Sequence, residues 1–355
     1  MNRGEILAWL REDDKTRLQS LWGRADALRQ EQAGDAVHLR GLVEFSNHCA
    51  RRCMYCGLRA GNRKLPRYRL TAEQVLECAR QAAGLGYGTV VLQSGEDPGL
   101  DVAWMAGLIG RIKSETGLAV TLSLGERVPG ELAEWRRAGA DRYLLRFETS
   151  NRALFRRIHP PTPGQACDRI AQLHELRRLG YEVGSGVMIG IPGQSYDDLA
   201  DDVVLFRELD LDMIGVGPYL PHPATPLGRY AGRFRLPAGE QVPATELMTY
   251  KVVALARLVC PRANIPATTA LATLNPFNGR ELGLRRGANV IMPNVTPRDV
   301  RAAYEIYPAK ACIRESASQC QLCVQRRILA IGRAPGIGPG PAANFRGRQP
   351  LPQAP

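Results

Sequence analysis

Three thiols stand within eight residues in the stretch CARRCMYC: Cys49, Cys53 and Cys56. In a chain read as residing in a reducing compartment, thiols at that density are metal ligands before they are disulfides. Structural zinc asks for a fourth ligand close by, and this stretch offers none. A cubane iron–sulfur cluster usually takes four thiolates. Given three, one iron keeps an open position, as catalytic metal sites do, and that position suits an exchangeable molecule bound through amine and carboxylate groups. A second trio follows near the C-terminus: Cys312, Cys320 and Cys323 in CIRESASQCQLC, spaced C-x7-C-x2-C. It points to a second iron–sulfur site, with zinc or a redox-active thiol set as alternatives. The remaining cysteines, Cys78, Cys167 and Cys260, are scattered and read as small buried apolar residues.

The elements around these groups must position them. From residue 38, short β-rich segments recur: HLRGLVEFS (38–46), TVVLQSG (89–95), AVTLSLG (119–125), RYLLRFE (142–148), EVGSGVMIG (182–190), MIGVGPYLP (213–221), IPATTAL (265–271) and NVIMPN (289–294). The stretches between them mostly read as helix; LTAEQVLECARQAAGLG opens on a capping box, Thr71 to Gln74, and stops at glycines. Eight strands alternating with helices predict an α/β fold, a complete (β/α)8 TIM-type barrel over residues 38–332, with a doubly wound open sheet as the alternative. Residues 1–37 read as an amphipathic helical extension, with Leu7, Leu10, Leu18 and Leu21 among charges. Residues 333–355, rich in Gly and Pro, read as a disordered tail.

In such a barrel chemistry gathers at the C-terminal ends of the strands, and the first cysteine trio follows the first segment directly. Alternation identifies further inward groups. In RYLLRFE, Arg146 and Glu148 share the inner face with Leu144, while Tyr143, Leu145 and Phe147 face the helices. Arg146 and Glu148 then bind a ligand or form a buried structural ion pair. Thr121 and Ser123 face inward opposite Leu122 and Leu124, and Gln93 ends the second segment. Met188 in GVMIGIPG is either core or a packing surface for a ring. Arg169 lies early in the helix before the fifth segment, within reach of a carboxylate or simply solvated.

The 355 residues carry a net charge of +12. From Cys49 to Arg69 there are seven Arg or Lys and no acid, which reads as compensation for a negative cluster or an anionic ligand, or as a solvated basic loop. Aromatic residues do not interleave with the basic stretches as a base-stacking platform requires, which argues against a nucleic-acid partner. No run approaches the ~20 apolar residues of a membrane span, so no membrane partner and a cytoplasmic location are expected.

The C-x3-C-x2-C spacing with Tyr55 before the last cysteine closely resembles the signature of the radical SAM enzymes. Together with LQSGEDP, VTLSLGE, AGADRYLLRFET, GIPGQSYDDL, PYLPHPATPL, NIPATTA, GANVIMPN and the distal trio, residues 38–334 resemble the HydE family of radical SAM proteins, which mature [FeFe]-hydrogenase. The resemblance implies a [4Fe-4S] cluster on Cys49, Cys53 and Cys56, and S-adenosylmethionine, reductively cleaved to a 5′-deoxyadenosyl radical, held by Tyr55, Gln93, Ser123, Glu148 and Arg169. It implies a substrate cavity lined by Thr121, Arg146, Thr268, Thr269, Met292, Tyr304 and Tyr307. It also implies a second cluster, [2Fe-2S], on Cys312, Cys320 and Cys323; some members lack these cysteines, so that cluster is not expected to be catalytic. The implied substrate is a small organometallic complex, Fe(CO)2(CN)(cysteine), attacked at the cysteine sulfur on the way to a di-iron subcluster. The implied partners are other hydrogenase maturation proteins and an electron donor such as ferredoxin or flavodoxin. Phe147 departs from a relative with His there, and alternation points it outward. The alternatives are a methylornithine synthase-like or biotin synthase-like enzyme and, in another class, a non-enzymatic iron–sulfur carrier.

Overall fold

The computed structural model describes residues 1–162, 168–346 and 348. Six parallel strands carry the main ladder: β1 (Ala36–Ser46), β2 (Thr89–Ser94), β3 (Ala119–Ser123), β4 (Arg142–Leu144), β5 (Glu182–Ile189) and β6 (Met213–Pro218). The two-residue β7 (Val290–Ile291) lies on the other side of β1, and β8 (Ala334–Pro335) pairs with β1 off this path. Helical crossovers keep the strands parallel and cover the outer face, so the strands are apolar; every residue of β5 and β6 is buried. Alternation divides each strand. Val43, Phe45, Val90, Leu92 and Leu122 join the outer core, whereas Leu42, Glu44, Val91, Gln93, Thr121 and Ser123 line the inside.

The arc is not the complete eight-stranded barrel expected. Segment 265–271 forms no ladder: Asn264 and Pro266 make single parallel bridges to Met213 and Val290, and the chain then enters helix Thr269–Leu274. Pro266 has no N–H to give to a ladder, and the following ALATL favours helix. Thr268 and Thr269 therefore stand at a helix start rather than on a strand, and the Thr268 side chain makes no capping hydrogen bond.

Helices Arg3–Arg11 and Lys15–Ala33, capped by Asn2 and Asp14, bury Ile6, Leu10, Leu18 and Leu21 against the outer helices Tyr196–Glu208 and Glu246–Val259. The segment expected to be disordered from residue 333 is instead packed as far as Arg346. β8 extends the edge of β1, and Gly336 N donates to Val37 O at 2.8 Å. Arg142 donates to Pro339 O at 2.9 Å; Arg40 and Asn264 donate to Gly340 O at 3.2 and 3.0 Å. Gly340 holds φ 54, and a Cβ there would lie 2.4 Å from the His38 ring. Backbone carbonyls given to buried guanidinium and amide groups, rather than apolar area, hold this segment across the N-terminal end of the strands. Residues 347 and 349–355 of the expected tail lie outside the described residues. Cys78 and Cys260 are buried, while Cys167 lies outside the described residues. No helix among the described residues is long and apolar enough to cross a membrane.

Candidate active site

β1 delivers the chain into the loop that carries Cys49, Cys53 and Cys56, and all three line the rim of an internal cavity of about 340 Å³. Cys53 is buried and the other two are half-buried. Burial, and after it the neighbouring Cys56, push the Cys53 thiol well up; burial and Cys49 push Cys56 up to about 12. Amides of Arg51 and Glu96 point at Cys49, and that of Leu58 at Cys56. Three thiols crowded in a dry site resist becoming thiolates by themselves, and a bound metal reverses that balance because coordination deprotonates the thiol.

An ion-pair network stands beside them. Arg51 joins Glu96 and, at 2.8 Å, Glu126; Arg169 Nε donates to Glu126 Oε1 at 2.8 Å, and its Nη1 to Arg146 O at 2.6 Å. His159 Nδ1 lies 2.9 Å from Cys53 Sγ, and its Nε2 lies 3.1 Å from Glu126 Oε1. Burial alone would raise Glu126, but His159, Arg169 and Arg51 outweigh it and hold the carboxyl well below its ordinary range. Glu96, Glu126 and His159 lie close enough to share a metal ion, yet both carboxylates already serve two guanidiniums. The trio therefore fixes Arg169 and the cysteine loop.

Deeper in, Tyr55 Oη reaches Glu148 Oε1 at 3.4 Å, and Arg146 Nη2 lies 2.9 Å from Glu148 Oε2. Glu148 holds φ 63, pinned by its N to Gly186 O and by Met188 N to its own carbonyl, both 3.1 Å. Burial pushes the Tyr304 and Tyr307 phenols up, opposed by the neighbouring Gln93 and Thr273 respectively. Among the described residues, buried hydroxyls of cavity-lining side chains stand without a hydrogen-bond partner: Thr121 Oγ1, Tyr219 Oη and Thr268 Oγ1. Unpaired buried groups are costly, so their convergence marks a place for a polar ligand.

The cavity gathers Tyr55, Gln93, Ser123, Glu148 and Arg169 near the cysteines, together with Thr121, Arg146, Thr268, Thr269, Met292, Tyr304 and Tyr307. Phe147 faces outward, against Phe206. Met188 does both things open to it, packing in a small core cluster and lining the cavity. The distal trio is only partly assembled. Arg280 Nη1 lies 3.6 Å from Cys312 Sγ, and the neighbouring Cys320 and that guanidinium draw the Cys312 thiol down. Cys323, one turn along helix Ala317–Ala330, is exposed and accepts from Arg327 Nε at 3.3 Å.

Sequence reasoning missed His159, Glu96, Glu126 and the buried pair Glu44–Lys310, whose Nζ lies 2.6 and 2.8 Å from the two carboxylate oxygens. Glu96 and Glu126 follow β2 and β3, so the strand-end rule held a signal for them. Glu44 alternates inward on β1. His159 and Lys310 come from loops, and nothing in their spacing marked them.

Residues 43–206 match the Radical SAM superfamily. The chain is 47% identical over 319 residues to the [FeFe] hydrogenase maturase subunit HydE of Thermotoga maritima, covering 90% of this chain and 87% of that protein. It is 28% identical to 3-methylornithine synthase of Methanosarcina barkeri, over 80% and 77% of the two chains. Among solved structures, methylornithine synthase superposes with a TM-score of 0.79 at 27% identity over 94% of both chains. HydG, a maturase of the [FeFe]-hydrogenase, shares the fold at 18% identity, with a TM-score of 0.76 over 98% of this chain and 74% of that one. Parallel α/β arc, strand-end cysteine loop and family match define a radical SAM enzyme, a class that implies a [4Fe-4S] cluster and S-adenosylmethionine. The thiol trio on the rim of a cavity with unpartnered polar atoms fits that pair of cofactors. Within the class, the chain belongs to the HydE family of hydrogenase maturases.

Proposed function

We propose that this enzyme acts in assembly of the hydrogenase di-iron subcluster on a small complex, Fe(CO)2(CN)(cysteine). The observation that carries the reading is the unpartnered pair of hydroxyls, Thr121 and Thr268, in a cavity continuous with the cysteine loop. Cys49, Cys53 and Cys56 would hold the [4Fe-4S] cluster. When bound, the cluster and S-adenosylmethionine supply a 5′-deoxyadenosyl radical, whose target in this reading is the cysteine sulfur of the substrate. Glu148 accepts hydrogen bonds from the amine or ribose of S-adenosylmethionine; Tyr55, Gln93 and Ser123 complete that wall. Arg169, locked by Glu126, sets a fixed positive charge beside it. On the substrate side, Thr268, Thr269, Thr121 and Arg146 offer hydrogen bonds to carboxylate and cyanide, while Met292, Tyr304 and Tyr307 exclude water.

Cys312, Cys320 and Cys323 would hold a second cluster, read as [2Fe-2S]: Cys312 and Cys320 are close enough to shift each other's thiols, and Cys323 follows Cys320 by one turn of helix Ala317–Ala330. The proposed partners are other hydrogenase maturation proteins and a ferredoxin or flavodoxin donor, in the cytoplasm. A methylornithine synthase-like rearrangement of an amino acid is the second reading, favoured by the 0.79 TM-score at 27% identity. Single-turnover product analysis separates the two. The iron complex should yield a deoxyadenosyl–sulfur adduct, and lysine should yield no rearranged product. Thr268→Val with Thr269→Val should cut the adduct yield several-fold with S-adenosylmethionine binding nearly normal. An unchanged yield in a normally folded double variant removes both threonines from the substrate site.

A further inference from the structure

We infer that the surface around the cysteine loop is the docking face for an acidic one-electron carrier protein. The inference rests on the radical SAM reading, in which the cluster on Cys49, Cys53 and Cys56 takes its electron from outside the chain. The loop exposes Arg52, Arg63 and Lys64. Its Met54 N donates to Ile158 O at 2.7 Å, and its Met54 O accepts from Leu227 N at 3.0 Å, which seats two more basic segments against it. Helix Arg152–Ile158 adds exposed Arg156 and Arg157. Residues 226–235 add exposed Arg229, Arg233 and Arg235.

None of these cations makes an ion pair among the described residues. Segments 49–69, 152–158 and 221–237 contain no Asp or Glu. Elsewhere Arg3 pairs with Asp197 and Asp201, and Arg80 and Arg111 with Glu73 and Glu115, while exposed Arg24, Arg285, Arg298, Arg314 and Arg326 lie outside these three segments and also make no ion pair among the described residues. Glu305 reaches His222 Nε2 at 3.2 Å but pairs with none of these eight cations, so an acidic partner would relieve the self-repulsion left among them. Exposed aromatic rings do not alternate with these cations: Tyr230 stands alone, under the Arg233 guanidinium at 4.9 Å from its centroid. Base stacking therefore has no platform here. Position favours an electron carrier. Cys53 follows Arg52 directly, and Arg59 Nε donates to Cys53 O at 3.0 Å, so a protein seated on these cations stands over the backbone of a cluster ligand. In the transfer the carrier loses one electron and the cluster gains one; no proton or group moves.

The test compares the reconstituted enzyme with its Arg63→Glu/Lys64→Glu/Arg157→Glu variant. The probe is an acidic flavodoxin, titrated oxidised for affinity and used as the hydroquinone for stopped-flow cluster reduction, with dithionite as the small-molecule control. The variant should lose at least about tenfold in affinity and in reduction rate. The parent should lose similarly between 0.1 M and 1 M salt, where the Debye length falls from about 10 to about 3 Å. Dithionite should reduce both proteins equally, with equal yields of 5′-deoxyadenosine. Unchanged flavodoxin affinity and rate in the variant overturn the docking face, as does tighter binding of poly(U) RNA than of flavodoxin. If dithionite-treated parent cleaves no S-adenosylmethionine, the radical SAM reading fails first and the docking face with it.

Discussion

Glu148 holds φ 63, a conformation that costs a non-glycine residue about 1–3 kcal/mol. Two backbone hydrogen bonds to β5 keep it there, and the effect is to hold its carboxylate on the cavity wall, between Tyr55 Oη at 3.4 Å and Arg146 Nη2 at 2.9 Å. A charged hydrogen bond from a ligand to that carboxylate is worth about 1.5–3 kcal/mol. Glu148→Gln should therefore weaken S-adenosylmethionine binding about tenfold or more in a calorimetric titration. Unchanged affinity would leave Glu148 as the partner of Arg146 alone. Its inward aim was legible because alternation in RYLLRFE survives although the β4 ladder ends at Leu144. The His159–Cys53 contact was not legible: it joins residues 106 apart, from two loops, and only the folded chain brings them together.

Asp202, on helix Tyr196–Glu208, ties that helix to the segment just after Glu148. It accepts from Ser150 Oγ at 2.7 Å, from Thr149 Oγ1 at 3.3 Å and from Gln194 Nε2 at 3.1 Å. Burial pushes its carboxyl up to about 7, against the hydrogen bonds from Ser150 and Thr149. The native state then keeps a proton that the unfolded chain has released. Its contribution to stability is full below about pH 4 and is lost as pH rises through about 7. Thermal melts of Asp202→Asn should show a smaller fall in Tm between pH 5 and 8 than the parent; parallel curves would refute the burial argument. At the same scale, segment 265–271 shows where pattern reading fails. Its β-branched residues suggested a strand, but Pro266 denies the ladder and a helix takes over. The distal trio has its own expectation: a Cys312→Ala/Cys320→Ala/Cys323→Ala variant should lose iron and the matching absorbance. It should keep S-adenosylmethionine cleavage and hydrogenase maturation. A folded variant that retains the first cluster but matures no hydrogenase would make the distal site essential.

Across the whole molecule, the catalytic end and the opposite end are closed by different means. Loops from the strand ends build the cavity and its network. The chain end after Arg333 spans the other side, where Arg40 and Arg142 would otherwise be buried without the carbonyls of Gly340 and Pro339. Composition alone could not reveal this, since Gly and Pro rich in backbone acceptors read as disorder until buried donors are seen beneath them. Ending the chain at Arg333 removes partners worth about 1–3 kcal/mol each when buried. At about 2–4 °C per kcal/mol in domains of 150–250 residues, and less in a chain of 355, Tm should fall by a few degrees. An unchanged melt would return this segment to the role of a loose tail. The central claim, that the thiol trio at the mouth of the cavity carries radical chemistry, is tested most directly by anaerobic turnover of reconstituted parent and Cys53→Ser proteins with dithionite and S-adenosylmethionine. The parent should release 5′-deoxyadenosine and methionine, and Cys53→Ser should release neither above background. Release by Cys53→Ser at the parent rate would contradict the assignment.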